Sequence, residues 1–149
     1  MAVDPATVSY LLSSIASTAK IIEFGMGLRR RPSEKEVNDI AAAADANASA
    51  KFGVSSPAVL AMSKGSWSKP IVEALNERIQ ETRDRSIQII KSNMDDHDKE
   101  KRLRDVRRSF CATLSQLKNY NGGILPPDAG RMEPSLSRLC ALKSTTLVY

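Results

Sequence analysis

Aromatic residues are scarce in this sequence, which has three Phe, three Tyr and one Trp among 149 residues, or 5%. Hydrophobic residues nevertheless make up 42%, with Ala, Ser, Leu and Ile prominent. A β-sandwich depends on aromatic and β-branched side chains, whereas helices can pack through small and aliphatic ones. The composition therefore favours a helical protein, and the length suits one domain with a sizeable core.

Residues for catalysis and metal binding are also few. His97 is the single histidine, and the aspartates around it suit helix capping better than metal coordination, because adjacent residues at a bend point in different directions. Residues 66–69 match the S-x-x-K spacing of penicillin-recognising acylases, but the companion motifs are missing. No Walker loop, HExxH motif or EF-hand loop occurs. We therefore predict that the protein is not an enzyme and has no cofactor and no metal site.

Cysteine occurs twice, as Cys111 and Cys140. Both lie on apolar faces of predicted helices, which favours free buried thiols in a reducing compartment; a single disulfide is the alternative. The N-terminus lacks a basic segment before its apolar stretch, so we predict no signal peptide. Residues 8–28 are long enough to suggest a membrane span, but Lys20 and Glu23 interrupt them. The predicted location is cytoplasmic.

The clearest pattern lies in residues 68–120, which predict two long helices folded into an antiparallel hairpin. Apolar and small residues recur there at steps of three and four, so each helix has one stripe that must be buried. The stripes are Val72, Leu75, Ile79, Thr82, Ser86, Ile89 and Asn93 in the first helix, and Leu103, Val106, Phe110, Thr113, Leu114 and Leu117 in the second.

Capping signals predict where the other helices begin and end. Asp4-Pro5 is a helix start, Gly25–Gly27 a helix end, and Ser33 with Glu36 a capping box. The predicted helices are 5–26, 33–52, 57–64, 69–94, 97–120 and 134–143. We predict a single all-α domain over residues 1–149: an antiparallel bundle of four main helices plus two short ones, with an extended C-terminal tail at Thr145–Tyr149.

Basic residues outnumber acidic ones by 22 to 17, giving a net charge of +5. Lys101, Arg104 and Arg108 share one face of the second hairpin helix, Lys118 continues that face, and Arg29, Arg30 and Arg31 follow the first helix. Such a surface can follow the phosphates of a nucleic acid. The structural alternatives are a solvated helix face with local Asp98–Arg102 and Glu100–Arg104 pairs, and arginines that complement a helix C-terminus.

These observations predict a non-enzymatic helical module that self-associates or binds a partner. A small coat, nucleocapsid-like or regulatory protein that contacts nucleic acid or another anionic partner through its basic helix face would fit. The single tryptophan, Trp67, either closes the end of the bundle or is an exposed partner-binding anchor.

Two other function classes remain open. Val3–Leu28, an Asp-Pro cap followed by an amphipathic helix rich in Ser, Ala and Ile, resembles in composition the N-terminal helix of fungal HeLo-type bundles, over less than a fifth of the chain. This resemblance implies a membrane-acting or death-signalling four-helix bundle whose first helix inserts into membranes, with Arg29–Arg31 at acidic headgroups. A protein–protein adaptor without an anionic partner is the other class.

Overall fold

The computed structural model describes residues 3–65, 67–120 and 134–140, and this part of the chain is helical without strands. Its helices are α1 (Pro5–Gly27), α2 (Glu34–Lys51), α3 (Pro57–Ser63), α4 (Lys69–Lys91), α5 (Asp96–Tyr120) and α6 (Pro134–Cys140). The predicted fold class, an all-α bundle, is confirmed. The predicted tail at Thr145–Tyr149 lies outside the described residues.

Side-chain caps explain where four of these helices begin. The capping residues are Asp4, Ser33, Ser56 and Asp95, and each accepts a hydrogen bond from the backbone N–H three residues further along. Asp4 also accepts from the hydroxyl of Thr7 at 2.8 Å, and the hydrogen bonds from Thr7 lower the pKa of its carboxyl. Because these caps satisfy N–H groups that have no partner within the helix, the sequence determines the helix starts closely.

Helix α1 is the centre of the bundle and contacts every other described helix. Its buried surface extends well beyond one apolar stripe, since Ser14, Ser17 and Thr18 are buried together with Ile15 and Ile22. Small hydroxyl side chains allow α2 and α4 to pack closely on either side of it. The α4–α5 hairpin that dominates the sequence pattern therefore packs onto α1 and is not itself the centre of the fold.

The predicted hairpin stripes are buried as expected, with one exception. Thr82 and Ser86 lie in the interior although they are polar, and the Ser86 hydroxyl donates to the carbonyl of Thr82 at 2.8 Å. Asn93 was predicted to continue the stripe, but α4 ends at Lys91 and Asn93 is exposed. Ser92 ends the helix, because its backbone is extended and its hydroxyl donates to the carbonyl of Ile89.

The prediction of free thiols is wrong. Cys111 of α5 and Cys140 of α6 form a disulfide that fastens the last described helix to the bundle. Spacing in the sequence cannot show which helix faces meet, so the packing of α6 on α5 was missed. Since disulfides are rare in reducing compartments, the cysteines no longer support the predicted cytoplasmic location.

The prediction of Trp67 as a partner-binding anchor is also wrong. Its side chain is 2% exposed and belongs to the hydrophobic core, where it lies against Gly65 in the link before α4. A side chain covered to this extent has no surface to offer a partner. The alternative, that Trp67 closes the end of the bundle, agrees with its burial.

Among the described helices, none is long and apolar enough to cross a membrane. Insertion of α1 into a bilayer would first require its release from all its neighbours. Because α1 supplies Leu11, Ile15 and Ile22 to the core, that release would expose much of the hydrophobic interior.

Gly25 of α1 lies close to Ile90 of α4 and Leu103 of α5. A Cβ atom at this position would be 2.7 Å from Cδ1 of Ile90 and 3.1 Å from Cδ1 of Leu103, and both neighbours are buried. We expect Gly25→Ala to lower the free energy of unfolding by about 1–3 kcal/mol through overpacking, despite the higher helix propensity of alanine. Urea denaturation measures this. Gly27→Ala is the matched control, since a Cβ there meets nothing within 4 Å; equal effects of the two variants would contradict the overpacking explanation.

Candidate anion-binding surface

The positive charge of the chain is concentrated in two segments. Helix α5 has seven Lys and Arg residues against four Asp and Glu, a net charge of +3, and the turn Arg29–Arg31 adds +3 more. Because the whole chain has a net charge of +5, the remaining residues together have a net charge of −1. Long-range attraction of an anionic partner therefore depends on these two segments.

The fold brings the two segments together at one end of the bundle. The arginine turn directly follows α1, and Arg29 and Arg30 line a pocket of about 270 Å³ with His97 and Lys99 from the start of α5. We call this cavity the Lys99 pocket. We use the name basic end for a set of basic residues on the two segments, namely Arg29, Arg30, Arg31, Lys99, Lys101, Arg104 and Arg108. Segments far apart in the sequence thus meet at this pocket, whereas Lys101, Arg104 and Arg108 lie further along α5, on a different face of that helix from Lys99.

The three described α5 residues of the predicted basic face are all exposed. Lys101 has no carboxylate partner among the described residues, whereas Arg104 and Arg108 pair with Glu100 and Asp105 at 3.1 Å and 3.4 Å. Such exposed pairs contribute little to stability and exchange readily. A phosphate oxygen can therefore replace either carboxylate at small cost, although the two acids lower the net charge of this face.

Two further predictions about α5 have different outcomes. The Glu100–Arg104 pair is present as predicted, but the described residues show no Asp98–Arg102 ion pair. The side chain of Lys118, the fourth predicted contact residue, lies outside the described part of the structure.

The arginine turn is exposed, and its three members have different partners. Arg30 donates two hydrogen bonds to the carboxylate of Glu36, at 2.9 Å and 2.8 Å. These hydrogen bonds raise the pKa of the Arg30 guanidinium and lower the pKa of the Glu36 carboxyl. Arg29 donates to the carbonyl of Leu28 at 3.2 Å, and Arg31 has no carboxylate partner in the described structure. Arg29 and Arg31 therefore remain available for an external anion.

Lys99 is the member of the basic end that sequence reasoning missed. It is 9% exposed, and its ammonium donates to the carbonyl of Ile90 at 3.1 Å. The described residues give this ammonium no carboxylate partner. The available signal was its position four residues before Leu103, which continues the buried α5 stripe by one turn. A charged residue on an apolar stripe is uncommon and marks a place where the environment must compensate the charge.

A separate polar cluster joins α1 to α2 and α4. The Ser17 hydroxyl donates to the carboxylate of Asp45, which also accepts from Arg83 at 2.6 Å, and Gln80 donates to the Ser14 hydroxyl at 2.7 Å. These contacts satisfy one another across the helix interfaces, so the cluster accounts for helix packing. It does not contribute to the basic end.

The described residues include no group of three or more His, Cys, Asp or Glu side chains placed to hold a metal ion. His97 lies in the wall of the Lys99 pocket beside Asp96. In this position it contributes a polar group to the pocket wall.

Comparison with protein-family models, with curated proteins and with solved structures gives no match for this chain. Inference about its function therefore depends on the geometry and charge described above.

Proposed function

We propose that the protein is a non-enzymatic helical module that binds an anionic polymer, in particular nucleic acid, through the basic end. The observation that carries the proposal is the meeting of the arginine turn with the start of α5, since these two segments contain the whole positive excess of the chain. Phosphates of a nucleic acid would contact guanidinium and ammonium groups spread over this surface. Binding of this kind is driven by counterion release and depends little on base sequence.

The exposed positions of the basic end suit contacts to a polymer backbone. Lys101, Arg104 and Arg108 form a row along α5 at steps of three and four, so successive side chains can reach successive phosphates. Arg29 and Arg31 are exposed in the turn after α1 and offer two further cationic groups. The row lacks neighbouring aromatic residues, so base stacking would contribute little and the affinity would depend on salt.

The double variant Arg31→Gln/Lys101→Gln tests the proposal. Both residues are exposed and have no described carboxylate partner, so the fold should persist while two phosphate contacts are lost. For single-stranded DNA we expect the slope of log K against log salt concentration to become less steep by about 1.4. Fluorescence anisotropy with a labelled oligonucleotide at several salt concentrations measures this slope.

The matched control is Lys64→Gln/Lys69→Gln, which removes the same charge near the other end of the bundle. Lys69 lies beside Asp4 before α1, whereas the arginine turn follows α1, and the 23 residues of α1 span about 34 Å. If the control reduced the salt slope by the same amount, the net charge of the chain, and not the basic end, would govern binding. Absence of binding at low salt would overturn the proposal itself.

Self-association remains a prediction. The large apolar side chains that are exposed in the described structure are Tyr10, Val54 and Leu60. A few exposed apolar residues are ordinary on a monomer surface, so the described surface does not favour an oligomer. The membrane-acting alternative is not proposed, because no described feature favours the release of α1.

A further inference from the structure

We propose that the Lys99 pocket is a receptor for a single phosphate monoester, such as the 5′-terminal phosphate of a nucleic acid. The inference rests on the proposed function: if the exposed basic residues bind the backbone of a nucleic acid, the pocket would bind its terminal phosphate. It concerns a recessed site, whereas Lys101, Arg104 and Arg108 lie on the open face of α5.

The first argument is the burial of Lys99. The residue is 9% exposed, and burial of a lysine side chain without an opposite charge is costly; a single hydrogen bond from its ammonium to the carbonyl of Ile90 compensates that cost in part. The group has three N–H donors, so two remain for other partners. An anion in the adjacent cavity would supply the missing charge.

The charged side chains that line the cavity are not all paired with one another. Arg30 forms an ion pair with Glu36, and Glu100 forms one with Arg104. Two cations remain without carboxylate partners, Lys99 and Arg29, and they face one uncompensated lining acid, Asp96.

The remaining charge is therefore net positive, since Lys99 and Arg29 together exceed the single charge of Asp96. A group with two negative charges gains more from this pocket than a singly charged diester. A phosphate monoester has a charge of about −1.5 to −2 at neutral pH and three acceptor oxygens.

The third argument is the shape of the site. The pocket lies in the recess between the end of α1 and the start of α5, and the apolar side chains of Ile90 and Leu103 form part of its wall. A recess of about 270 Å³ between two helices can enclose the end of a chain. A continuous backbone would have to leave the recess again on the other side. The row along α5, which is open to solvent, is better suited to diester phosphates.

The test compares two oligonucleotides of the same sequence, one with a 5′-phosphate and one with a 5′-hydroxyl, at fixed pH and salt. We expect the wild-type protein to bind the phosphorylated form about tenfold more tightly, because one hydrogen bond between charged groups changes an affinity by about this factor. This ratio should fall towards one in Lys99→Met, which keeps a buried side chain of similar length, and in Arg29→Gln on the exposed turn. It should persist in the surface control Lys64→Gln.

The outcomes separate the two proposals. Equal affinity of the wild-type protein for both oligonucleotides overturns the pocket assignment and leaves the proposed function standing. If neither oligonucleotide binds, the proposed function fails, and inorganic phosphate then tests the pocket alone. A rise in melting temperature with phosphate that Arg29→Gln and Lys99→Met abolish, at matched ionic strength, supports the pocket. Equal rises in the wild-type protein and these variants overturn it.

Discussion

Replacing Trp67 with alanine should lower the free energy of unfolding by about 3–5 kcal/mol. The side chain is among the largest that are fully buried, and its removal would leave a cavity at the link between α3 and α4. A domain of this size is stable by about 5–15 kcal/mol in total, so the variant would have lost much of its stability. Chemical denaturation followed by far-UV circular dichroism measures the effect without depending on the lost tryptophan.

Trp67→Phe is the control for this prediction, because it keeps an aromatic ring and most of the buried volume. We expect it to lower the free energy of unfolding clearly less than the alanine variant does. If Trp67→Ala unfolded at the same denaturant concentration as the wild-type protein, the residue would not contribute to the core. The interpretation as a partner-binding anchor would then regain its basis.

The helices of this protein were predictable because their signals are local. Four of the starts depend on a capping side chain and an amide three residues away, as at Asp4 and Ser33, so no tertiary information is needed for them. The stripes of α4 and α5 follow from the helical repeat alone. The end of α4 was placed too late, because Asn93 fits the repeat while the extended backbone of Ser92 has no equally clear signal.

The arrangement of the helices was less predictable. Helix α1 has weaker amphipathic character than α4 or α5, because its Ser and Thr residues are buried with its aliphatic ones. A serine can be exposed or packed between helices, and sequence periodicity does not distinguish these states. The central position of α1 therefore became apparent only from its contacts with all its neighbours.

The candidate site was predictable in part for the same reason. A sequence directly shows consecutive arginines, as at Arg29–Arg31, and basic residues at helical spacing, as at Lys101, Arg104 and Arg108. The meeting of Arg29 and Arg30 with the start of α5 depends on the packing of α1 against α5, and so does the pocket between these segments. Lys99 stands among charged neighbours in the sequence, which favours an exposed position, although its spacing from Leu103 places it on the buried stripe.

The disulfide bears on the compartment in which the protein is found, but it does not identify a binding partner. A bond between Cys111 and Cys140 favours an oxidising environment, because reducing compartments keep most thiols free. The charge of the basic end does not depend on this bond. The two features can therefore be tested separately, and anion binding should be measured with the disulfide intact and reduced.

Removal of the disulfide is expected to destabilise the protein by about 3–4 kcal/mol, the value that chain entropy gives for a closed loop of this length. The two cysteines are 29 residues apart, and the bond fixes α6 against α5. Other contacts also hold α6: Arg138 donates to the carboxylate of Glu23 at 2.6 Å and 2.7 Å, and Leu136 is buried. The hydrogen bonds from Arg138 lower the pKa of Glu23, as expected for a carboxylate that is stabilised in its charged form.

The measurement compares thermal unfolding of the wild-type protein, with and without dithiothreitol, and of Cys111→Ser/Cys140→Ser. We expect the reductant to lower the melting temperature of the wild-type protein towards that of the double variant and to leave the variant unchanged. Since the Glu23 contact and the burial of Leu136 do not involve the thiols, the variant should still fold. A wild-type melting temperature that does not respond to the reductant, in protein shown by mass to be fully reduced, would mean that α6 is held by these non-covalent contacts alone.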